Sequence, residues 1–152
     1  MKIEKLAVHD LYILTELFEY NNVEQMISEC THDIQSGIID IFVLHDNDVL
    51  IGELHVMYEC DDENYAIRGR RAYMFAFRVR EDFQNKGYGT YLLKTVLAVL
   101  RENGYFEFTV GVEDGNFRAI HMYQALGFNE LLLRKQEEYQ GDAYEYNLYL
   151  KR

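Results

Sequence analysis

Leu11, Leu14, Leu17 and Phe18 recur at three- and four-residue spacing behind Asp10, which predicts a helix over 10–20 with one apolar face and Asp10 as its cap. A short strand over 2–8 precedes it. A second helix is predicted over 23–36, opened by Asn22 and stopped by Gly37, since glycine readily takes the left-handed conformation that ends helices. Ile39 to His45 and Val49 to Tyr58 are rich in apolar and β-branched residues. They flank Asp46-Asn47-Asp48 and read as an antiparallel hairpin. The acidic run 59–64 and the basic Arg68-Gly69-Arg70-Arg71 form a loop. The strand after it, Ala72 to Arg80, is expected to carry Tyr73, Phe75, Phe77 and Val79 on one face of the pleat.

A loop over 81–90 leads into Leu92, Leu93, Val96, Leu97 and Leu100, an amphipathic helix that Gly104 terminates. Phe106, Phe108, Val110 and Val112 then alternate with Glu107, Thr109, Gly111 and Glu113, the pattern of a strand with one apolar face. A short helix follows from Asn116 to Leu126, ended by Gly127. Two closing strands over 128–135 and 144–150 are joined by a polar turn over 137–142. The order β-α-α-β-β-β-α-β-α-β-β predicts an α/β fold, a mixed and mostly antiparallel sheet flanked by helices.

At 152 residues the chain is expected to be one domain, 1–152, with no proline, linker or repeat to divide it. Fifteen Lys and Arg against 26 Asp and Glu leave a net charge of −11, which repels phosphate backbones and anionic lipid. Nucleic acid and membrane are therefore not expected as partners, whereas a cationic small molecule would be attracted. Cys30 and Cys60 can form at most one bridge, the N-terminus reads as no export signal, and a reduced cytoplasmic protein is expected. No apolar run approaches the roughly 20 residues that span a bilayer. No His, Cys, Asp or Glu group has the spacing of a zinc or calcium site, and no metal is expected.

The chemistry concentrates in Gln84-Asn85-Lys86-Gly87-Tyr88-Gly89-Thr90, between a strand and a helix. Main-chain N–H groups at a helix start lack intrahelical partners and point outward with the positive end of the helix dipole, so they can hold an anion. Gly87 and Gly89 would let a diphosphate approach the backbone. The stretch lacks the Gly-Lys-Ser/Thr of a P-loop and the third glycine of a dinucleotide fingerprint.

Val79 followed by Gln84-x-x-Gly87-x-Gly89, then a helix, a strand and Asn116-x-x-Ala119-Ile120-x-x-Tyr123-x-x-x-Gly127-Phe128, resembles the GNAT family of N-acetyltransferases from about Tyr73 to Phe128. The resemblance implies the acyl-CoA N-acyltransferase fold and direct transfer of an acetyl group from acetyl-CoA to a primary amine. The amides of Gln84, Asn85, Lys86, Gly87, Tyr88, Gly89 and Thr90 would hold the diphosphate. Backbone groups of Phe77 and Val79 would bind the pantetheine arm, with Asn116 beside it or serving as a helix cap. Tyr123 would protonate the departing thiolate.

The resemblance leaves the base open. Some members carry a glutamate five residues before the motif asparagine, where this chain has Gly111, so Glu113 on the same strand face is a substitute candidate. Others carry Glu or His where this chain has Tyr73. A water relay from Glu53, His55, Glu113 or Tyr73 stays open. The acceptor is expected to be a small cationic amine, or an amino-acid or protein amine, and the resemblance allows a homodimer through 128–150. The alternatives are an acyl-CoA-binding module without catalysis and a nucleotide binder using the same loop.

Overall fold

The computed structural model describes residues 1–152. Its strands form one seven-stranded sheet in the order β1 (Lys2–Lys5), β2 (Ile39–Asp46), β3 (Val49–Met57), β4 (Arg71–Val79), β5 (Glu107–Glu113), β7 (Asp142–Lys151), β6 (Glu130–Tyr139). Neighbouring strands run antiparallel except β4 and β5. A parallel pair needs a crossover, which α2 (Tyr88–Glu102) supplies. The predicted α/β class, a mixed sheet flanked by helices, is the architecture observed.

Leu92, Leu93, Val96, Leu97 and Leu100 of α2 pack on one face of the sheet against Phe42, Leu54, Val56, Met74, Phe108 and Val110. Tyr123 of α3 (Phe117–Ala125) joins the same cluster. Across the sheet, Met26 of α1 (Val23–Gln35) packs with Leu11, Leu14, Ile39, Ile41 and Val43. No helix is long and apolar enough to cross a membrane.

Four local expectations need correction. The segment predicted as an α-helix over 10–20 is a 3-10 helix over Val8–Glu16, preceded by Ala7 with no side-chain cap, and β1 ends at Lys5. Leu11 and Leu14 stand three apart, so three residues per turn is the winding that stacks them on one face. The predicted six-residue closing turn shrinks to Gln140-Gly141, with φ of 51° and 88°, between lengthened strands. Helix α2 starts at Tyr88, so Tyr88 to Thr90 are its first turn rather than loop.

The fourth correction shapes the site. Val79 lies opposite Gly52 and Arg78 opposite Glu53, but Phe75 lies opposite His55, so β4 carries one extra residue. Ala76, at φ 47°, takes up that residue in a bulge. Tyr73 and Phe75 therefore face the α1 side, whereas Phe77 and Val79 turn toward α2. The single apolar face expected from strict alternation does not exist, because alternation presumes an uninterrupted pleat.

The parallel ladder is short, running from Arg71 opposite Glu107 to Met74 opposite Val110, after which β4 and β5 diverge. Its closed end is pinned by the buried Glu107 carboxylate. That group accepts from Arg70 Nε at 2.9 Å, Arg71 Nε at 3.2 Å and the Arg152 guanidinium at 2.6 Å. Removing one partner of a buried pair strands the other charge, so Glu107→Ala is expected to lower unfolding free energy by about 3 kcal/mol. Urea denaturation checks this.

Candidate active site

Where β4 and β5 part, two cavities of about 810 and 750 Å³ open on opposite faces of the sheet. Gly87 and Gly89 at the α2 start and Tyr123 of α3 line the first, and Met26, Cys30 and Asp33 of α1 line the second. Both reach Phe75, Ala76, Phe77, Gly111 and Glu113, so they meet at the bulge and the divergence.

In the first cavity, no main-chain N–H from Asn85 to Thr90 finds an acceptor in the protein, and the first helical bond is Tyr91 N to Gly87 O at 3.0 Å. Gly87 caps the helix at φ 87°, a conformation that favours glycine. Gly89 is not in the left-handed region, and a Cβ there would sit 3.4 Å from the Phe77 and Val79 side chains, in ordinary contact. The Gln84 side chain folds back, donating Nε2 to the Val79 carbonyl at 2.9 Å. Lys86 donates Nζ to the Asp82 carbonyl at 3.2 Å, and Tyr88 packs its ring edge-on to Phe83. Lys86 and Tyr88, both singled out from the sequence, do not line this cavity, although their amides are free.

Phe77, Val79, Gln84, Asn85, Gly87, Gly89, Thr90 and Asn116 line the first cavity with Tyr123 and Glu113, bringing together most of the residues singled out from the sequence. Asn116 caps α3, its Oδ1 accepting from Ala119 N at 3.2 Å. Arg118 was not singled out. It donates to Asn85 Oδ1 at 2.5 Å, tying α3 to the loop across the cavity. Tyr123 is buried with its ring edge-on to Phe128, yet its hydroxyl makes no protein hydrogen bond. Since no sealed polar atom lacks a partner, that hydroxyl opens on the cavity. Burial raises its pKa above the ordinary phenol value, so it stays protonated through neutral pH.

Tyr73 lines the second cavity, whereas Tyr123 lines the first. Its ring stacks on Phe75 at 5.3 Å and meets Tyr65 edge-on at 4.9 Å. Burial, reinforced by Tyr65, Tyr144 and Glu137, raises its pKa. Exposed Glu113, at the end of β5, lines both cavities. Beneath them, His55 Nε2 lies 2.6 Å from Glu53 Oε2, and Arg78 donates to Glu53 Oε1 at 3.1 Å. No three His, Cys, Asp or Glu side chains gather as a metal set.

Residues 7–128 match the model of the acetyltransferase (GNAT) family. The chain belongs to that family. The ribosomal protein bS18-alanine N-acetyltransferase of Salmonella typhimurium is 36% identical over 64 residues, 42% of this chain and 43% of that protein. The match thus spans under half the length of this curated relative. Among solved structures, the ribosomal-protein-alanine N-acetyltransferase of Brucella melitensis superposes with TM-score 0.78 at 16% identity, covering 99% of both chains. A Salmonella typhimurium protein described as an acetyltransferase and solved with its cofactor acetyl-CoA gives 0.72 at 17%, covering 99% of this chain and 92% of that one.

Within this GNAT chain, Gly111 is occupied territory. A Cβ there would lie 3.2 Å from the Tyr146 ring and 3.5 Å from the Tyr73 hydroxyl. Gly111→Ala is therefore expected to destabilise by about 1–3 kcal/mol through overpacking. Thermal denaturation of Gly111→Ala alone and combined with Tyr146→Leu checks this, the second change restoring part of the loss.

Proposed function

We propose that the protein transfers an acetyl group from acetyl-CoA directly to a primary amine, with Tyr123 as general acid. The observation that carries this reading is that Asn85, Gly87, Gly89 and Thr90, four of six consecutive residues whose amides are free, line one cavity with the unpartnered Tyr123 hydroxyl. The amides, at the positive end of the α2 dipole, suit a diphosphate. The edge of β4 beyond Met74 has no strand partner, so backbone groups of Phe77 and Val79 can bond the pantetheine arm as an added strand. Acetyl-CoA supplies an activated thioester at the divergence. A main-chain N–H of that β4 edge meets the carbonyl oxygen as it gains charge. Tyr123 then donates its proton to the sulfur. A phenol near 10 or above remains loaded, and a thiolate whose conjugate acid is near 8.5 accepts that proton in the transition state.

The acceptor enters through the second cavity. Glu29, Asp33, Asp62, Glu113 and Glu137 line it against Lys135 and Arg78, and Arg78 is already paired with Glu53. Tyr65, Tyr73, Phe75 and Tyr144 supply aromatic walls. Acidic and aromatic surfaces together favour a small cationic amine, with Glu113 at the junction drawing the ammonium toward the thioester and Tyr73 shaping the wall beside it. The name of the Salmonella relative favours a second acceptor, the amino-terminal amine of a protein.

Acetyl-CoA or CoA at about 100 times its dissociation constant is expected to stabilise the protein by roughly 2.7 kcal/mol in a thermal shift. A response to ATP or NAD alone would overturn the assignment. Tyr123→Phe should keep acetyl-CoA affinity and lose about 10²-fold in kcat in a free-thiol assay. Spermidine turning over faster than alaninamide supports the cationic acceptor, and the reverse order supports the protein amine. Glu113→Gln should raise KM for spermidine more than it lowers kcat.

A further inference from the structure

We propose that His55, held by the buried carboxylate of Glu53, takes the proton of the acceptor ammonium. Glu53 is fully buried on β3 beside the bulge, where an ionised carboxylate is costly unless paired. Two groups pair it. Arg78 takes Oε1 at 3.1 Å and is itself fixed by the Phe18 ring, 3.8 Å from its guanidinium carbon, and by Tyr20, whose hydroxyl accepts from it at 3.3 Å. Oε2 is left to His55 Nε2, at 2.6 Å.

An imidazole that gives its Nε2 proton to a carboxylate keeps Nδ1 as an acceptor. His55 is only 4% exposed and its Nδ1 has no hydrogen-bond partner in the protein, yet no sealed polar atom is left unpaired, so Nδ1 opens on the second cavity. The ring stands edge-on to Phe75, a residue shared by both cavities, at 5.3 Å. A carboxylate orienting a histidine beside the reaction cleft is the arrangement of a positioned base.

The groups around the dyad bear on its charge. Glu29, Cys30 and Asp33 approach from α1, Tyr20 from the segment before it, Arg78 and Tyr73 from β4, and Glu113 from β5, while β2 presents only Ile41 and Val43. Burial pushes Tyr20 up to about 12 and Cys30 up to about 11, so both are neutral where the enzyme works.

The step balances. Through cavity water, His55 removes one proton from the ammonium. The freed lone pair forms the C–N bond as the C–S bond breaks. Tyr123 protonates the sulfur and regains a proton from the amide nitrogen by way of solvent, and His55 returns its proton to bulk. The net products are the acetylated amine, CoA thiol and one proton.

This rests on the acetyltransferase reading, and the test separates the two. kcat/KM for spermidine is measured from about pH 6 to about pH 9 in wild type, His55→Gln and Glu53→Gln, with acetyl-CoA affinity alongside. His55→Gln should lose about 10²-fold at pH 7 with unchanged acetyl-CoA affinity, the deficit narrowing as pH rises and more amine arrives neutral. Glu53→Gln should lose less. Rates within about threefold of wild type and an unaltered profile would overturn the proposal.

Ring-nitrogen NMR of wild-type His55 needs neither turnover nor a folded variant. A protonated Nε2, a bare Nδ1 and a response to spermidine support the dyad. The opposite tautomer or no response refutes it. A wild type that binds acetyl-CoA and acetylates no amine counts against the transferase reading, and the NMR result still decides the dyad.

Discussion

Four residue pairs between β4 and β5 govern everything downstream of them. A parallel ladder that begins at Arg71 and Glu107 and stops at Met74 and Val110 forces two strands to start together and finish apart. Where they finish apart, cavities on the two faces of the sheet share Phe75, Ala76, Phe77, Gly111 and Glu113 and can be reached from both sides. The Glu107 cluster keeps the near end shut, with Arg152 bringing in the end of β7 as well. Because ladder hydrogen bonds cannot be left open in a dry interior, the exposed edge beyond Met74 exists only where a cavity admits water or a ligand.

The bulge at Ala76 converts this gap into two chemically different rooms. Its extra residue turns Phe77 and Val79 to one side and leaves Tyr73, Phe75 and Arg78 on the other. The α2 side then holds unpaired amides, Arg118 and neutral glycines, a surface for a polyanion within a chain of net charge −11. The α1 side holds the acids and phenols. A uniform negative field would repel CoA, so on the proposed reading local amides dominate at one mouth while the overall charge acts at the other. Separating the two by the thickness of the sheet lets both hold, since interactions across the low-dielectric interior are fixed by the nearest groups.

What could be read from the chain was local. The glycine turn and the helix after it were visible because glycine at a left-handed turn and the Leu92 to Leu100 periodicity are short-range signals, though these place the first turn, Tyr88 to Thr90, in the loop, and Tyr123 stood out by its spacing to Asn116 and Gly127. The bulge was invisible: Ala76 carries no glycine or proline to mark it, and it is revealed only by register against β3. The second cavity draws on residues from Tyr20 to Tyr146, and the Arg118 bridge to Asn85 spans 33 positions, so neither has a sequence period. The 3-10 winding at Val8–Glu16 was a borderline case, since Leu11, Leu14 and Leu17 fit a three-residue step as well as a helix stripe.

The position of Gly111 explains why a base must be sought elsewhere. The volume over it is filled by the Tyr146 ring and approached by the Tyr73 hydroxyl, so a longer side chain would have to displace two aromatic neighbours. Tyr146 in turn shares a hydrogen bond with Tyr65, and Tyr65 accepts through its carbonyl from Thr109 at 2.7 Å, so the wall is braced from two strands and a loop. With β5 closed to an acid there and Tyr73 kept protonated by burial, the proposed proton uptake falls to other groups of the second cavity. The proposal assigns it to His55 on the floor, which, unlike Glu113 at the rim, has a buried partner to orient it.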